Sequence, residues 1–331
     1  MADSFEELKP MVRPEGVHFG EMLFDTEKCI SCGLCIKNCV FACLEIDDEE
    51  HARMKKAHNC FSCFNCMVSC PADAISIGSS YHVDYGFFDL DFPVLKMPLP
   101  PQDAEGNPVE RTAVEQTIMN RRSIRNFKKQ PVPEPLIRRI LEAGRFAPSG
   151  GNNQPWKFTV VTNLDFIEKL EEVCWTVWDN VHKMYASDEK VVDLVQMFGG
   201  PSHAGYFDPR VQSGVGCVSR KETSIFHKAP AVIFVGSTEK MYSPEMHVGI
   251  CGQNMNLAAH SLGLGACWIG FSAAINFIPE LKNQLGFEDP WRILTAFSLG
   301  YPAFKQEGIV ARQYRPVTWF RPDKQGADIE K

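Results

Sequence analysis

Eight of the cysteines between positions 29 and 70 constrain this chain more than any other feature. They fall in two runs, Cys29, Cys32, Cys35, Cys39 and Cys60, Cys63, Cys66, Cys70, each spaced C-x2-C-x2-C-x3-C, with Pro71 after the second. Three thiolates at that spacing can curl around one face of an iron–sulfur cube, and the fourth is sent away to complete a neighbouring cube. One ligand set is then Cys29, Cys32, Cys35 and Cys70; the other is Cys60, Cys63, Cys66 and Cys39. Zinc modules take four ligands as two pairs, and neither run divides that way. A disulfide framework needs an oxidising compartment, which nothing else in the chain supports.

An internal repeat points the same way. A shift of 31 residues superposes Cys29 on Cys60, Cys39 on Cys70, Leu44 on Ile75 and Ile46 on Ile77. Each half ends in a short apolar strand, 43–46 and 74–77, suited to covering a cluster. Residues 24–78 resemble a bacterial two-cluster 4Fe–4S ferredoxin. The chain departs from that pattern twice: Val40 stands where the second run has Pro71, and Cys43 where it has Ala74. Proline there shapes a turn and binds no iron, and Cys43 reads as a small buried residue rather than a ninth ligand.

A length of 331 residues suggests about two domains. With 34 basic and 41 acidic residues the net charge is −7, which disfavours nucleic acid as a partner. The start, Met1-Ala2-Asp3-Ser4-Phe5-Glu6-Glu7, carries no secretory pattern, and no apolar run approaches the ~20 residues of a spanning helix. Thirteen cysteines without an export signal belong in a reducing compartment, so the expected location is the cytoplasm.

Four segments are expected: an N-terminal extension (1–23), the cysteine unit (24–78), a proline-rich linker (79–110) and a larger domain (111–331). The linker reads as semi-rigid and extended, with Tyr81, Tyr85, Phe87, Phe88 and Phe92 packing its first half on a surface. In the larger domain the pattern predicts helices at 113–120, from Pro133-Glu134-Pro135 to about Gly144, at 165–173, and from a Ser243 cap to Gly263. Strands are predicted at 157–161, 229–236, 265–270 and 292–300. Between them, 174–223 loses its periodicity. Without regular βαβ alternation the fold class is α+β.

Three arginines and a serine within Arg121-Arg122-Ser123-Ile124-Arg125 form a compact anion site, since guanidinium groups bind phosphate in parallel hydrogen bonds. The loop from Ala147 to Trp156 offers glycines for close approach and Ser149, Asn152 and Asn153 for hydrogen bonding. These motifs occur in order with Gly263-Leu264-Gly265-Ala266-Cys267-Trp268-Ile269-Gly270 and Gly300-Tyr301-Pro302. Together they resemble the FMN-dependent nitroreductase family over about 111–319, so the expected fold is a nitroreductase-like sheet flanked by helices.

That resemblance implies roles. Arg121, Arg122, Ser123 and Arg125 would hold the FMN phosphate and ribityl chain, and Arg312, ahead of Arg315, would be a second phosphate ligand. Pro148, Ser149 and Gly150 would reach the flavin from the partner of a homodimer, with Asn152 as a polar neighbour. The backbone of Trp268, Ile269 and Gly270 would lie along the ring, and 174–223 would cover its face and set substrate choice.

Cys174, Cys217, Cys251 and Cys267 show no ligand spacing, and the nine histidines form no metal pattern. His227-Lys228 reads as structural. There is no G-x-G-x-x-G or Walker loop, which leaves NAD(P)H possible as a diffusible donor, because the family binds nicotinamide directly over FMN. The combined expectation is a 4Fe–4S flavoprotein oxidoreductase. Its donor would be ferredoxin or NAD(P)H, and its acceptor an electron-poor small molecule of nitroaromatic, quinone or enone type. A non-catalytic electron carrier or sensor, and a metabolite dehydrogenase that reduces ferredoxin, are the alternatives.

Overall fold

A computed structural model describes residues 4–84, 88, 93–322 and 326–330. Helix α1 (Phe5–Val12) starts at Ser4, whose hydroxyl accepts from the Glu7 N–H at 3.4 Å. Its Leu8, Met11 and Val12, three and four residues apart, bury in one core with Leu170 and Phe207. The first residues are thereby packed on helices formed much later in the chain.

Strands β1 (Val17–His18) and β2 (Glu21–Phe24) lead into the cysteine unit, which comprises α2 (Leu34–Asn38), β3 (Leu44–Ile46), β4 (Ala52–Met54), α3 (Asn65–Ser69) and β5 (Ile75–Ser79). β2 pairs with β5 and β3 with β4, both antiparallel. The core of the unit contains Cys35, Leu44, Phe64, Val68 and Ile75, and it takes in Val310 and Ala311 from near the C-terminus.

The proline-rich segment is pinned at two places. β6 (His82–Val83) pairs with β1, and β7 (Val94–Leu95) pairs with β12 (Arg312–Gln313). Tyr81 is buried, its ring in contact with Phe19 and Phe61 and the Arg210 guanidinium 5.3 Å away. Phe88 packs on the main core, whereas Tyr85, Phe87 and Phe92 lie outside the described residues.

The larger domain begins with α4 (Ala113–Asn120), set by a capping box between Thr112 and Glu115. α5 (Glu134–Arg145) opens at Pro133 and Pro135 and buries Ile137, Ile140 and Gly144. β8 (Lys157–Val161) follows. The helix expected at 165–173 runs on as α6 (Leu164–Tyr185), and 174–223 is mostly helical, with α7 (Lys190–Met197) and α8 (Pro209–Ser219). The cause is one continuous buried stripe, Ile167, Leu170, Cys174, Trp178, Val181 and Tyr185, spaced by three or four. Burial of that stripe overrides the weak helix propensity of its aromatic and β-branched members.

β9 (Ala231–Thr238), α9 (Pro244–Ser261), β10 (Gly265–Ile269), α10 (Pro279–Gln284) and β11 (Trp291–Gly300) complete the domain. Ser243 does not cap α9 through its hydroxyl: its backbone is left-handed, φ 48°, and the side chain makes no cap bond. Pro244 does stand at the first turn, and the helix stops before Gly263, φ 73°. The strands form one antiparallel sheet in the order β10-β11-β9-β8. Alternate residues of β9 face opposite helical layers: Val232 and Phe234 join α6 and α7, while Ile233 and Val235 join α5 and α9. A short hairpin, β13 (Val317–Phe320) with β14 (Ala327–Glu330), ends the chain. Among the described residues no helix is long and apolar enough to cross a membrane.

Candidate functional site

The 31-residue repeat is written into the backbone of the cysteine unit. Left-handed residues recur in step: Ser31 and Ser62 (φ 55° each), Gly33 and Phe64 (67° and 55°), Ala42 and Asp73 (50° and 48°). Each non-glycine residue held there costs roughly 1–2 kcal/mol, so the surrounding structure must impose the path twice over. In each half the last cysteine accepts a backbone hydrogen bond: Cys43 N–H to Cys39 Sγ and Ala74 N–H to Cys70 Sγ, both 3.3 Å.

Cys29, Cys32, Cys35 and Cys70 line one cavity, walled by Phe24 and Ile75. Burial pushes the Cys35 thiol up to about 11, and its neighbours Cys70 and Cys32 add to this. Burial likewise raises Cys66, with Cys63, Cys39 and Cys60 acting on it. Cys70 thus joins three thiols of the first run, and Cys39 lies near enough to Cys60, Cys63 and Cys66 to act on Cys66, as Cys35 also does. Several thiols held close together and partly out of water suit the donor set of a metal cluster, whose cations neutralise them. Cys43 is buried against Cys39, and the hydrogen bond between them holds the Cys39 thiol below its ordinary value.

The arginine motif leaves α4 as an extended strand that joins the edge of the sheet. Ser123 bridges Ala266 in parallel, and the Ile124 N–H donates to the Ala266 carbonyl at 3.1 Å. This lays Arg121–Arg125 beside β10, with Trp268, Ile269 and Gly270 further along. Burial, and behind it Arg312, holds the Arg121 guanidinium below its ordinary value. Arg122 is 7% exposed, donates to the carbonyls of Asn120 (2.8 Å) and Gly308 (2.6 Å), and is lowered by burial and by Arg121. Among the described residues, Arg121 Nε, Arg122 Nη1 and Arg125 Nη1 are buried without a hydrogen-bond partner. Guanidinium nitrogens buried without a partner call for an anion, and a phosphate dianion fits them.

Beside the strand lies a cavity lined by Arg121, Arg122, Lys128, Asn256, His260 and Lys305 among others, with no acidic residue in its wall. Neither Ser123 nor Arg125 lines it, so it flanks the arginine strand rather than enclosing the whole motif. Asn256 and His260 belong to none of the motifs that the sequence displays. Their i, i+4 spacing on one face of α9, ending at the arginines, was the available signal.

The Pro148–Asn152 loop sits elsewhere. Gly150 N–H donates to Nε2 of the buried His247 at 3.1 Å, Ser149 Oγ accepts from Gln154 N–H at 2.9 Å, and Asn152 is left-handed at φ 54°. His247 begins α9 and His260 ends it, a rise of about 20 Å at 1.5 Å per residue. Within one chain, then, the structure brings Arg121, Arg312 and β10 together and leaves the loop at the opposite end of α9. Arg312 donates to the carbonyls of Val310 and Ala311 and stands in β12, while Arg315 donates to Gln313 Oε1 at 2.7 Å.

The cysteine unit docks directly on this site. Glu307 N–H donates to the Val68 carbonyl (3.1 Å), Asn38 Nδ2 to Gln306 Oε1 (3.2 Å) and Asn126 Nδ2 to the Lys37 carbonyl (3.3 Å). Gly214, in α8, has the rings of both Phe41 and Phe271 within 4 Å of the position a Cβ would take. Phe41 lies two residues beyond Cys39, and Phe271 follows Gly270. Gly252 is fixed by β10 itself: an added Cβ would lie 2.4 Å from the Trp268 ring.

The Nitroreductase family matches residues 118–301. A putative NADH dehydrogenase/NAD(P)H nitroreductase of Methanothermobacter thermautotrophicus is 30% identical over 195 residues, 59% of this chain and 80% of that protein. An iodotyrosine deiodinase of Haliscomenobacter hydrossis is 27% identical over 188 residues, 57% of this chain and 78% of that protein. Among solved structures, a nitroreductase with bound FMN from Bacteroides fragilis is 26% identical, spans 60% of this chain and 95% of its own, and has a TM-score of 0.45.

Proposed function

The chain belongs to the nitroreductase family and is an FMN-dependent oxidoreductase; from that premise we propose that it is an iron–sulfur flavoprotein that reduces an electron-poor small molecule. The family match begins at residue 118, so the iron–sulfur part of this reading rests on the cysteine spacing and on the placement of Cys70 among Cys29, Cys32 and Cys35. One observation carries the combination. The segment 306–312 seals the core of the cysteine unit with Val310 and Ala311, and then delivers Arg312 beside Arg121.

When bound, 4Fe–4S clusters exchange single electrons and FMN converts between one- and two-electron chemistry. The residues of the chain hold and orient these groups. Cys29, Cys32, Cys35 and Cys70 would take one cluster, and Cys60, Cys63, Cys66 and Cys39 the other. Arg121, Arg125 and Arg312 would neutralise the phosphate, with the Ser123 hydroxyl as a further donor. Arg122, tied to the Asn120 and Gly308 carbonyls, adds its charge and braces the strand. Trp268, Ile269 and Gly270 offer backbone groups to the ring.

A homodimer accounts for two further features. α4 has no buried residue although it carries Val114 and Ile118, and the Pro148–Asn152 loop lies too far along α9 to serve its own arginines. Pro148, Ser149, Gly150 and Asn152 would meet the flavin of the other subunit. The name of the Methanothermobacter relative favours NAD(P)H as a donor, and the cysteine unit favours ferredoxin. None of the thirteen cysteines stands in a disulfide, and thiols kept for metal binding suit a reducing compartment such as the cytoplasm.

Anaerobic purification followed by metal and flavin analysis tests this reading. About eight iron atoms and one FMN per chain are expected, with oxidation of NAD(P)H or reduced ferredoxin coupled to loss of a nitroaromatic, quinone or enone. Zinc in place of iron would remove the cluster assignment. Flavin that is reduced but passes electrons to none of these acceptors would remove the enzyme assignment.

A further inference from the structure

Outside the thiol sets and the arginine strand, one cluster of metal-ligating side chains stands apart among the described residues. His18, His82 and Asp84 each present one donor atom, and the three atoms lie within 4.8 Å of one another. The sequence hides the group, because His18 is 64 residues from His82; the β1–β6 ladder brings the two histidines into register. Their rings stack with centroids 4.5 Å apart, and Asp84 reaches both, Oδ2 to His18 Nε2 at 2.8 Å and Oδ1 to His82 Nε2 at 3.5 Å.

We propose that His18, His82 and Asp84 form a binding site for one divalent cation of the zinc class, separate from the iron–sulfur and flavin sites. Two imidazoles and a carboxylate, with water completing the shell, are a common donor set for such an ion. Bonds near 2.0–2.1 Å would place the donors roughly 3.4 Å apart in a tetrahedron, so the 2.8 Å pair opens, the 3.5 Å pair stays, and the stacked rings turn to aim both Nε2 atoms at the ion. The ion takes the place of the hydrogen bond between His18 Nε2 and Asp84: a neutral imidazole keeps its one proton on Nδ1, and an imidazolium gives its second proton to solvent.

Two of the three ligands are held from behind, as metal ligands require. His82 Nδ1 lies 3.1 Å from the Ser80 carbonyl, which favours the proton on Nδ1 and leaves Nε2 as the free donor. Asp84 N–H donates to the Gly16 carbonyl at 3.0 Å, and its side chain packs so closely on Gly16, φ 67°, that a Cβ there would lie 2.9 Å from Asp84 Cβ. A bare surface ion pair would need neither constraint. Both strands are also tied to the second cysteine run, Gly20 N–H to the Cys60 carbonyl at 2.8 Å and Tyr81 N–H to Ser62 Oγ at 2.7 Å. A bound ion would therefore staple the N-terminal segment to the edge of that run.

The experiment uses the full-length protein with its native cofactors, titrated with Co2+ and read by visible absorption. One Co2+ per chain is expected, with nitrogen and oxygen ligation and no thiolate charge-transfer band. His82→Ala and Asp84→Asn should each weaken uptake at least tenfold while leaving flavin and iron content unchanged. A second measurement needs no variant: Zn2+ should protect His18 and His82 of the wild-type protein from carbethoxylation, read by peptide mass spectrometry. Unsaturable Co2+ uptake, equal affinity in the variants, or labelling of both histidines unaffected by Zn2+ would each overturn the proposal.

Discussion

Replacing Arg121 with alanine separates a cofactor contact from a structural one, because the two roles predict opposite signs. In the cofactor-free protein Arg121 is half-buried, its Nε is without a hydrogen-bond partner, and Arg312 repels it. Removing such a group takes away a desolvated charge and breaks no internal hydrogen bond of that nitrogen, so the melting temperature of the apoprotein should hold or rise. With FMN the sign reverses. A hydrogen bond to a charged group is worth about 1.5–3 kcal/mol, so the affinity for FMN should fall about 10- to 150-fold. At free flavin of ~100 times the wild-type Kd, bound FMN adds ~2.7 kcal/mol of stability; a 30-fold weaker site would retain ~0.9 kcal/mol. Thermal melts of both proteins with and without FMN, beside a fluorescence titration, measure every quantity. If Arg121→Ala lowers the apo and FMN-bound melting temperatures equally, Arg121 supports the fold and the phosphate assignment is wrong.

Each of Cys39→Ser and Cys70→Ser should reduce the iron content from about eight towards four. Cys39→Ser should slow flavin reduction by reduced ferredoxin the more, since Phe41 and Phe271 carry that side of the unit to β10; equal slowing in stopped-flow would refute this. His227 is lowered to about 3 by burial and then by Arg125, so the unfolded chain binds the extra proton below its ordinary value of 6.5. Apoprotein stability should therefore be lost as pH falls from about 6.5 towards 3, and His227→Gln should flatten that slope in urea midpoints taken at pH 7 and pH 5. Gly252→Ala would drive a Cβ into Trp268 and Phe297, at 2.4 and 2.7 Å, and should cost about 1–3 kcal/mol, seen as a lower melting temperature; an unchanged one would mean the packing gives way freely.

Local chemistry makes much of the larger domain legible in the sequence itself. Thr112 with Glu115 sets α4, Pro133 and Pro135 set α5, and the apolar runs of β8 and β11 fall close to where their patterns place them. Signals fail where tertiary contact decides. The stripe from Ile167 to Tyr185 looks irregular until the sheet and α8 lie against it, and Ser243 reads as a cap until its left-handed backbone turns the hydroxyl away. At the site, the cysteine spacing carries its own geometry because every partner is local or one repeat away. The convergence of Arg312 on Arg121 across 191 positions is a matter of packing, as is the pairing of His18 with His82.

The part played by Val310 and Ala311 also orders events during synthesis. The cysteine unit leaves the ribosome early, but the two residues that complete its core lie 240 positions beyond Cys70. At 5–20 residues per second that interval is roughly 12–48 s. Throughout it the nascent unit lacks the part of its core that Val310 and Ala311 supply. Once 306–312 is laid down, the same stretch closes the core of the cysteine unit and sets Arg312 beside Arg121, so the two events come together and late.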